Sequence, residues 1–308
     1  MYQHVKKVQT SFVLQKGQLH LKVIPFKEKA AQLVQLRSQY AAYIARLNAA
    51  RLNAARLNAA RPQPRFTKKA LLVGINYVGT GNALYGCIND VNAVNVHLVS
   101  KGFTCQLITD NTSLKPTREN ILNAFKLLLV NAIAGDVLFF HYSGHGSYVR
   151  DTNREEIDGY DEAIVSRDMK YILDDELKSL LVNHLKKDVT LVTLFDSCHS
   201  GTMLDLKYQY MDSLHGADVV YPKNLATAGK VYMMSGCMDQ QTSADAFIDK
   251  RAQGAMTWAC LECLKKKPTH TWRELLRSMR TLLKDNGFDQ IPQFSAGTLV
   301  DIDTQVFI

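Results

Sequence analysis

The sequence predicts an α/β fold, a mostly parallel central sheet flanked by helices on both faces, and three observations carry that reading. Residues 137–140 (Val-Leu-Phe-Phe) and 189–195 (Val-Thr-Leu-Val-Thr-Leu-Phe) are apolar runs of the kind found in strands buried on both faces. Between them, residues 174–185 repeat leucine at helical spacing behind the acidic start Asp174-Asp175-Glu176, as a helix N-terminus favours. Strand, crossover helix and strand therefore follow one another. Each apolar run also closes on polar chemistry, His-Tyr-Ser-Gly-His-Gly at 141–146 and Phe-Asp-Ser-Cys-His-Ser-Gly at 195–201. In open α/β sheets reactive groups gather beyond the carboxyl ends of the strands, which is where His145 and Cys198 fall.

The remaining elements follow in order. Residues 1–65 form a basic extension, in which Arg-Leu-Asn-Ala repeats every five residues from Arg46. Its alanines and leucines favour helix, but a five-residue step advances about 140° around a helix axis, so the leucines form no continuous stripe. A loosely helical or disordered arm is expected, ending near Arg61 to Arg65. Residues 103–109 read as a strand, and Pro116-Thr117-Arg118-Glu119 starts a helix. Residues 207–229 lack periodic signal and are expected to be a flexible linker. A strand resumes at 230–234, with helical patterns at 255–266 and 271–285. The expected organisation is a domain over 66–308, with a large part at about 66–206, the linker at about 207–229 and a small part at about 230–308.

The chemistry at the two loops is that of a hydrolase. A free thiol, with a pKa of about 8.5, is only slightly ionised at neutral pH, and a nearby imidazole can take its proton and later protonate a leaving amine. Gly144 and Gly146 permit a tight turn and let a substrate carbonyl approach backbone N–H groups. The N–H groups of Gly146 and Cys198 are the expected oxyanion donors. His141 is expected to face the core from its strand and His199 to be structural. Taken singly, Cys198 reads as a core thiol and His145 as a loop histidine; taken together they fit catalysis.

At these residues the chain resembles a type I metacaspase, a relative of caspases that cuts after arginine or lysine. The resemblance covers about residues 68–300. Beyond the dyad it rests on Gly74-Ile75-Asn76-Tyr77, Leu84-Tyr85-Gly86-Cys87-Ile88-Asn89-Asp90, Asp158-Gly159-Tyr160-Asp161-Glu162, Ile172 to Leu177, Ser235-Gly236-Cys237, Gln241 to Asp245 and Pro292 to Ser295. It implies a caspase-like fold, His145 as base and Cys198 as nucleophile. It also implies an acidic S1 pocket with Asp90 and Asp196, flanked by Cys87 and Ser143, which would pair with a guanidinium or ammonium. The residues alone leave open that Asp90 caps a helix over 91–101 and that Asp196 fixes its loop. The resemblance further implies a regulatory Ca2+ site at Asp158, Asp174, Asp175 and Asp205, whose hard oxygen donors suit that ion. Asp174 and Asp175 acting as helix-start residues is the alternative.

Charge and cysteine usage bound the partners. The net charge of +8 divides into +13 for residues 1–69 and −5 for residues 70–308, so the catalytic part suits a basic substrate. Protein or peptide substrates with basic P1 residues are the expected partners. The basic arm admits binding to an acidic surface or nucleic acid, but it lacks interleaved aromatics after Tyr43, and nucleic acid is not expected. No apolar run reaches the roughly 18 residues of a membrane span, and a cytoplasmic monomer is expected. Six cysteines in 308 residues make no disulfide framework, and Cys260-x-x-Cys263, lying in a helical pattern, reads as core. A non-proteolytic interaction or quality-control role is the rival reading. Basic residues expected in flexible segments, Arg46, Arg51, Arg56, Arg61, Arg65, Lys207, Lys223 and Lys230, are candidate self-cleavage sites.

Overall fold

The computed structural model describes residues 9–15, 18–24, 26–60, 66–150, 159–198, 203–210, 218–219, 226–236, 245–248 and 251–308. They divide into two compact units, Met1–Arg65 and Phe66–Ile308. In the first, β1 (Gln9–Gln15) and β2 (Gln18–Ile24) form an antiparallel hairpin, followed by the 35-residue helix α1 (Phe26–Ala60). The arm expected to be loosely helical or disordered is a continuous helix over residues 26–60. Residues 26–60 contain neither glycine nor proline and are rich in alanine, leucine, arginine and glutamine, so propensity sustains the helix without an apolar stripe. Arg46, Arg51 and Arg56 accordingly lie in regular helix rather than in a flexible segment. Arg61 and Arg65 lie outside the described residues.

The second unit runs β3 (Lys68–Gly74), α2 (Cys87–Ser100), β4 (Thr104–Thr109), α3 (Arg118–Val130), β5 (Val137–Ser143), β6 (Gly146–Arg150), β7 (Tyr160–Val165), β8 (Tyr171–Leu173), α4 (Asp174–His184), β9 (Thr190–Asp196), β10 (Tyr208–Gln209), β11 (Asp218–Val219), β12 (Lys230–Ser235), β13 (Asp245–Ile248), β14 (Arg251–Gly254), α5 (Ala255–Lys266), α6 (Trp272–Asp285) and β15 (Gln293–Ala296). Eight of these strands form one sheet in the order β11-β10-β15-β12-β9-β5-β3-β4. The pairs β3–β4, β3–β5, β5–β9 and β9–β12 are parallel, and the strands beyond β12 pair antiparallel. Parallel strands must be covered on both faces, and they are. Leu72, Phe139, Val192 and Met234 pack with α2, α5 and α6 on one face; Leu71, Phe140, Leu191 and Met233 pack with α3 and α4 on the other.

The helix signals act where the sequence puts them. Thr117 accepts from the Asn120 N–H at the start of α3, and Thr271 from the Glu274 N–H at the start of α6, each satisfying an orphan donor of the first turn. Three features differ from expectation. The crossover between β5 and β9 contains a separate antiparallel sheet, β6-β7-β8, besides its helix. Within the stretch at 207–229, expected to be a flexible linker, the described residues include two short strands, β10, which pairs with β15, and β11, which pairs with β10 at the edge of the sheet and gives its backbone groups partners. Lys230 likewise opens β12, paired beside Thr190, so it is ladder rather than loop. Lys223 lies outside the described residues. No helix among the described residues is long and apolar enough to cross a membrane.

Candidate active site

Ser143 pairs with Asp196 at the carboxyl ends of β5 and β9, so the loops bearing His145 and Cys198 leave the sheet side by side. Between them opens a cavity of about 180 Å³ lined by Leu84, Cys87, Asp90, Ser143, Gly144, His145, Asp196, Ser197, Cys198 and Gly254. The structure thus brings both dyad residues and all four expected pocket residues to one cavity. Gly146, from the other expected oxyanion position, sits hard against Cys198: a Cβ there would lie 1.8 Å from the Cys198 carbonyl oxygen. Only glycine permits that approach.

Asp90 and Asp196 are buried at the floor, 2% and 5% exposed. Asp90 does not cap its helix, which begins three residues earlier at Cys87 with Gly86 at the N-cap. Its carboxylate accepts instead from Ser143 Oγ at 2.7 Å and from the Gly254 N–H at 2.9 and 3.0 Å. Asp196 Oδ2 accepts from the Thr257 N–H at 2.7 Å. These donors help to orient the two carboxylates. Gly254 is the residue the sequence reading missed. A Cβ on it would meet Asp196 Oδ2 at 2.2 Å and Asp90 Oδ2 at 2.8 Å, so a glycine where β14 turns into α5 lets the backbone N–H reach the floor.

His145 is half-buried, and its Nε2 lies 2.7 Å from the Asn82 carbonyl oxygen. A carbonyl only accepts, so in the neutral ring Nε2 carries the proton and Nδ1 the basic lone pair. Four residues earlier the environment is different. His141 is fully buried with Nδ1 3.0 Å from the Leu194 carbonyl, and burial pushes it down to about 4, so it stays neutral. Cys260 and Cys263 are buried core thiols, pushed up by burial to about 12 and about 11, which excludes them as thiolates near neutrality.

A second group of acids lies where β7, α4 and the segment after β9 meet. Carboxylate oxygens of Asp161, Asp174 and Asp175 lie within 4.8 Å of one another, as do those of Glu162, Asp174 and Asp205. Asp174 is shared by both triads. Its oxygens also accept from the Glu162 and Asp175 N–H groups, both at 2.7 Å. Three of the four expected calcium ligands thus come together with Asp161 and Glu162, which the sequence reading did not select as ligands; Asp158 lies outside the described residues. Lys178 Nζ donates to the Asp205 carbonyl oxygen at 2.9 Å, its pKa held below the usual lysine range by burial. An all-oxygen, mostly buried donor set fits a hard cation.

A mostly parallel sheet covered on both faces, with a histidine and a cysteine at the ends of adjacent central strands, defines a caspase-like α/β protein. Residues 68–207 match the family model described as metacaspase, peptidase C14 domain. Metacaspase-1A of Neurospora crassa is 36% identical over 291 residues, covering 77% of this chain and 64% of that protein. Metacaspase-1 of Schizosaccharomyces pombe is 36% identical over 292 residues, covering 77% and 68%. The chain belongs to the metacaspase family, a family of cysteine-type peptidases. It spans about two thirds of the length of these relatives. Among solved structures, protein GSU0716 from Geobacter sulfurreducens superposes with a TM-score of 0.59 at 25% identity, covering 76% of this chain and 95% of that one.

Proposed function

We propose that the chain is a cysteine endopeptidase that cleaves after arginine or lysine. The observation that carries this is the single cavity lined by His145 and Cys198 with Asp90 and Asp196 at its floor. In this reading the Nδ1 lone pair of His145 takes the Cys198 proton, and Asn82, by holding Nε2–H, keeps the ring in the basic tautomer. The thiolate attacks the scissile carbonyl carbon, and the N–H groups of Gly146 and Cys198 hold the oxyanion. The imidazolium then protonates the departing amine, leaving a thioester that water, deprotonated by the same imidazole, hydrolyses. A P1 guanidinium or ammonium enters the pocket and meets two carboxylates, which an acidic P1 side chain would face as like charges.

Calcium, held by Asp174, Asp175, Asp205 and Asp158 with Asp161 and Glu162 alongside, would supply positive charge that lets these acids stay close, as a regulator apart from bond cleavage. The enzyme acts in this proposal as a cytoplasmic monomer on protein substrates. Self-cleavage is retained for Lys207, beside the two-residue strand β10, and for Arg61, Arg65 and Lys223. The test is turnover of fluorogenic peptides bearing Arg, Lys or Asp at P1, in calcium, magnesium or chelator, by the wild type, Cys198→Ala and His145→Ala. Turnover of basic peptides in calcium by the wild type alone supports the proposal. Wild-type turnover by Cys198→Ala refutes the nucleophile, preference for Asp refutes the pocket, and equal turnover in chelator refutes the metal.

A further inference from the structure

Beyond β3 the chain turns through Ile75, Asn76 and Tyr77, and Tyr77 adopts φ 50°, the left-handed region that a bulky side chain seldom enters. Such strain persists only where surrounding contacts over-determine it. Here they do. The Asn76 N–H donates to Asp110 Oδ2 at 2.6 Å, the Asn76 carbonyl accepts from the Leu84 N–H at 2.9 Å, and Asn76 Oδ1 accepts from the Ile88 N–H at 3.2 Å. The same bonds anchor the loop whose Asn82 carbonyl meets His145.

The strained turn sends a fully buried tyrosine under the histidine loop. Tyr77 Oη accepts from the His145 N–H at 2.9 Å and donates to the Val165 carbonyl at 2.6 Å. Its ring lies against the imidazole, centroids 4.6 Å apart and planes at 37°. Tyr142 Oη, 3.0 Å from Tyr77 Oη, donates to the His145 carbonyl at 2.8 Å, and that carbonyl also receives the Val165 N–H at 3.0 Å. Both phenols are pushed above their ordinary range by burial and remain protonated donors. Gly144 completes the arrangement, because a Cβ there would come within 2.5 Å of Tyr142 Oη and 3.0 Å of Tyr77 Oη. His145 is therefore held at its N–H, its carbonyl, one ring face and Nε2.

We infer that Tyr77 is the positioning residue of the dyad, fixing the orientation of the His145 imidazole through its hydroxyl and its ring, with Tyr142 as a lesser partner. The inference rests on the dyad reading above and deepens it. A base displaced by about 1 Å can lose about 10²-fold in rate, and loss of one of four restraints should cost less.

The test compares full-length wild type, Tyr77→Phe, Tyr142→Phe and His145→Ala in kcat, KM, thermal melting and the pH dependence of iodoacetamide alkylation at Cys198, with the modified peptide identified by mass spectrometry. Among the described residues, the ionisable groups around the dyad and Tyr77 are Asp90, Asp196, Cys87, Asp110, Tyr77 and Tyr142, of which only the mutated tyrosine changes. Tyr77→Phe should lower kcat about tenfold with KM nearly unchanged. Its alkylation midpoint should rise by about one pH unit, because a less constrained imidazole takes the thiol proton less readily. Tyr142→Phe should move both readouts the same way by less. Wild-type kcat and midpoint in Tyr77→Phe would overturn the inference, as would a lowered kcat with an unmoved midpoint and a lowered melting temperature, which is a merely structural loss. If His145→Ala loses the wild-type profile while Tyr77→Phe keeps it, the dyad stands and the tyrosine falls. If His145→Ala keeps the profile, the dyad reading itself fails and the inference with it.

Discussion

Two sets of buried acids sit in the peptidase unit, and they are organised in opposite ways. At the pocket floor Asp90 and Asp196 come from different elements, α2 and β9, and are aimed by a hydroxyl and by the N–H groups of Gly254 and Thr257. In the second set, Asp174 is shared by two groups whose carboxylate oxygens lie within 4.8 Å of one another, one with Asp161 and Asp175 and one with Glu162 and Asp205. The first arrangement leaves a 180 Å³ cavity open in front of the carboxylates, room for a side chain. In the second the carboxylates face one another at short range. Similar side chains are thus arranged in two ways, facing an open cavity in one set and crowded together in the other.

Substitution at the floor should break the comparison hardest. Removing one partner of a buried ion pair typically costs about 3–5 kcal/mol, so Asp196→Asn should lower kcat/KM for Arg peptides by about 10³-fold. Its thermal response to calcium should be unchanged; loss of both together would mean that the two sets are not separate. Asp90→Asn is the parallel measurement.

His141 sharpens the contrast, being a buried base on the strand that ends at Ser143, with a carbonyl contact that does not keep it charged. Its folded pKa of about 4 lies below the ordinary 6.5, so the unfolded chain binds the proton more readily between those values. Stability contributed by neutral His141 is complete above pH 6.5 and is lost as pH falls toward 4, by about 3 kcal/mol in all. Melting curves at pH 7 and pH 4 should therefore show a smaller acid-induced loss in His141→Gln than in the wild type. Equal losses would remove His141 as a source of acid sensitivity.

The smallest expected effect belongs to the cation set. Calcium at ten times its Kd should stabilise the wild type by about 1.4 kcal/mol, and Asp174→Asn should abolish that increment. Magnesium, which demands tighter octahedral geometry, should do less. A calcium-induced melting shift that survives Asp174→Asn would place the ion elsewhere.

What was legible in the sequence was whatever is buried on a regular period. β5, β9 and β12 show as apolar runs because both their faces are covered, and α3, α5 and α6 show because leucines recur in them at helical spacing, with threonine caps at the starts of α3 and α6. The β6-β7-β8 sheet and the two-residue strands β10 and β11 were not legible, since short strands derive their identity from their partners. The same reason hid parts of the sites. His145 and Cys198 announce themselves by residue type, but Gly254 matters only because β14 passes over Asp90, and Glu162 joins the acid set only because its N–H meets Asp174. Tyr142 was visible inside the His-Tyr-Ser-Gly-His-Gly motif, yet its role emerges only once Tyr77 arrives from a strand two places earlier in the chain.

The ladder between β5 and β9 has one more consequence. Val137 lies opposite Thr190, and the pairing stays in step through Ser143 and Asp196. Neighbouring strands are about 4.8 Å apart, so the gap between the two reactive loops is set by backbone pairing rather than by the 53 positions separating His145 from Cys198. Extra residues inserted in the crossover would lengthen the path without moving its ends. A single residue removed from β5 would instead turn the alternate side chains to the other face and carry the histidine off the cysteine. The crossover is accordingly the tolerant stretch for length variation in this domain, and the seven-residue strand before it is the intolerant one.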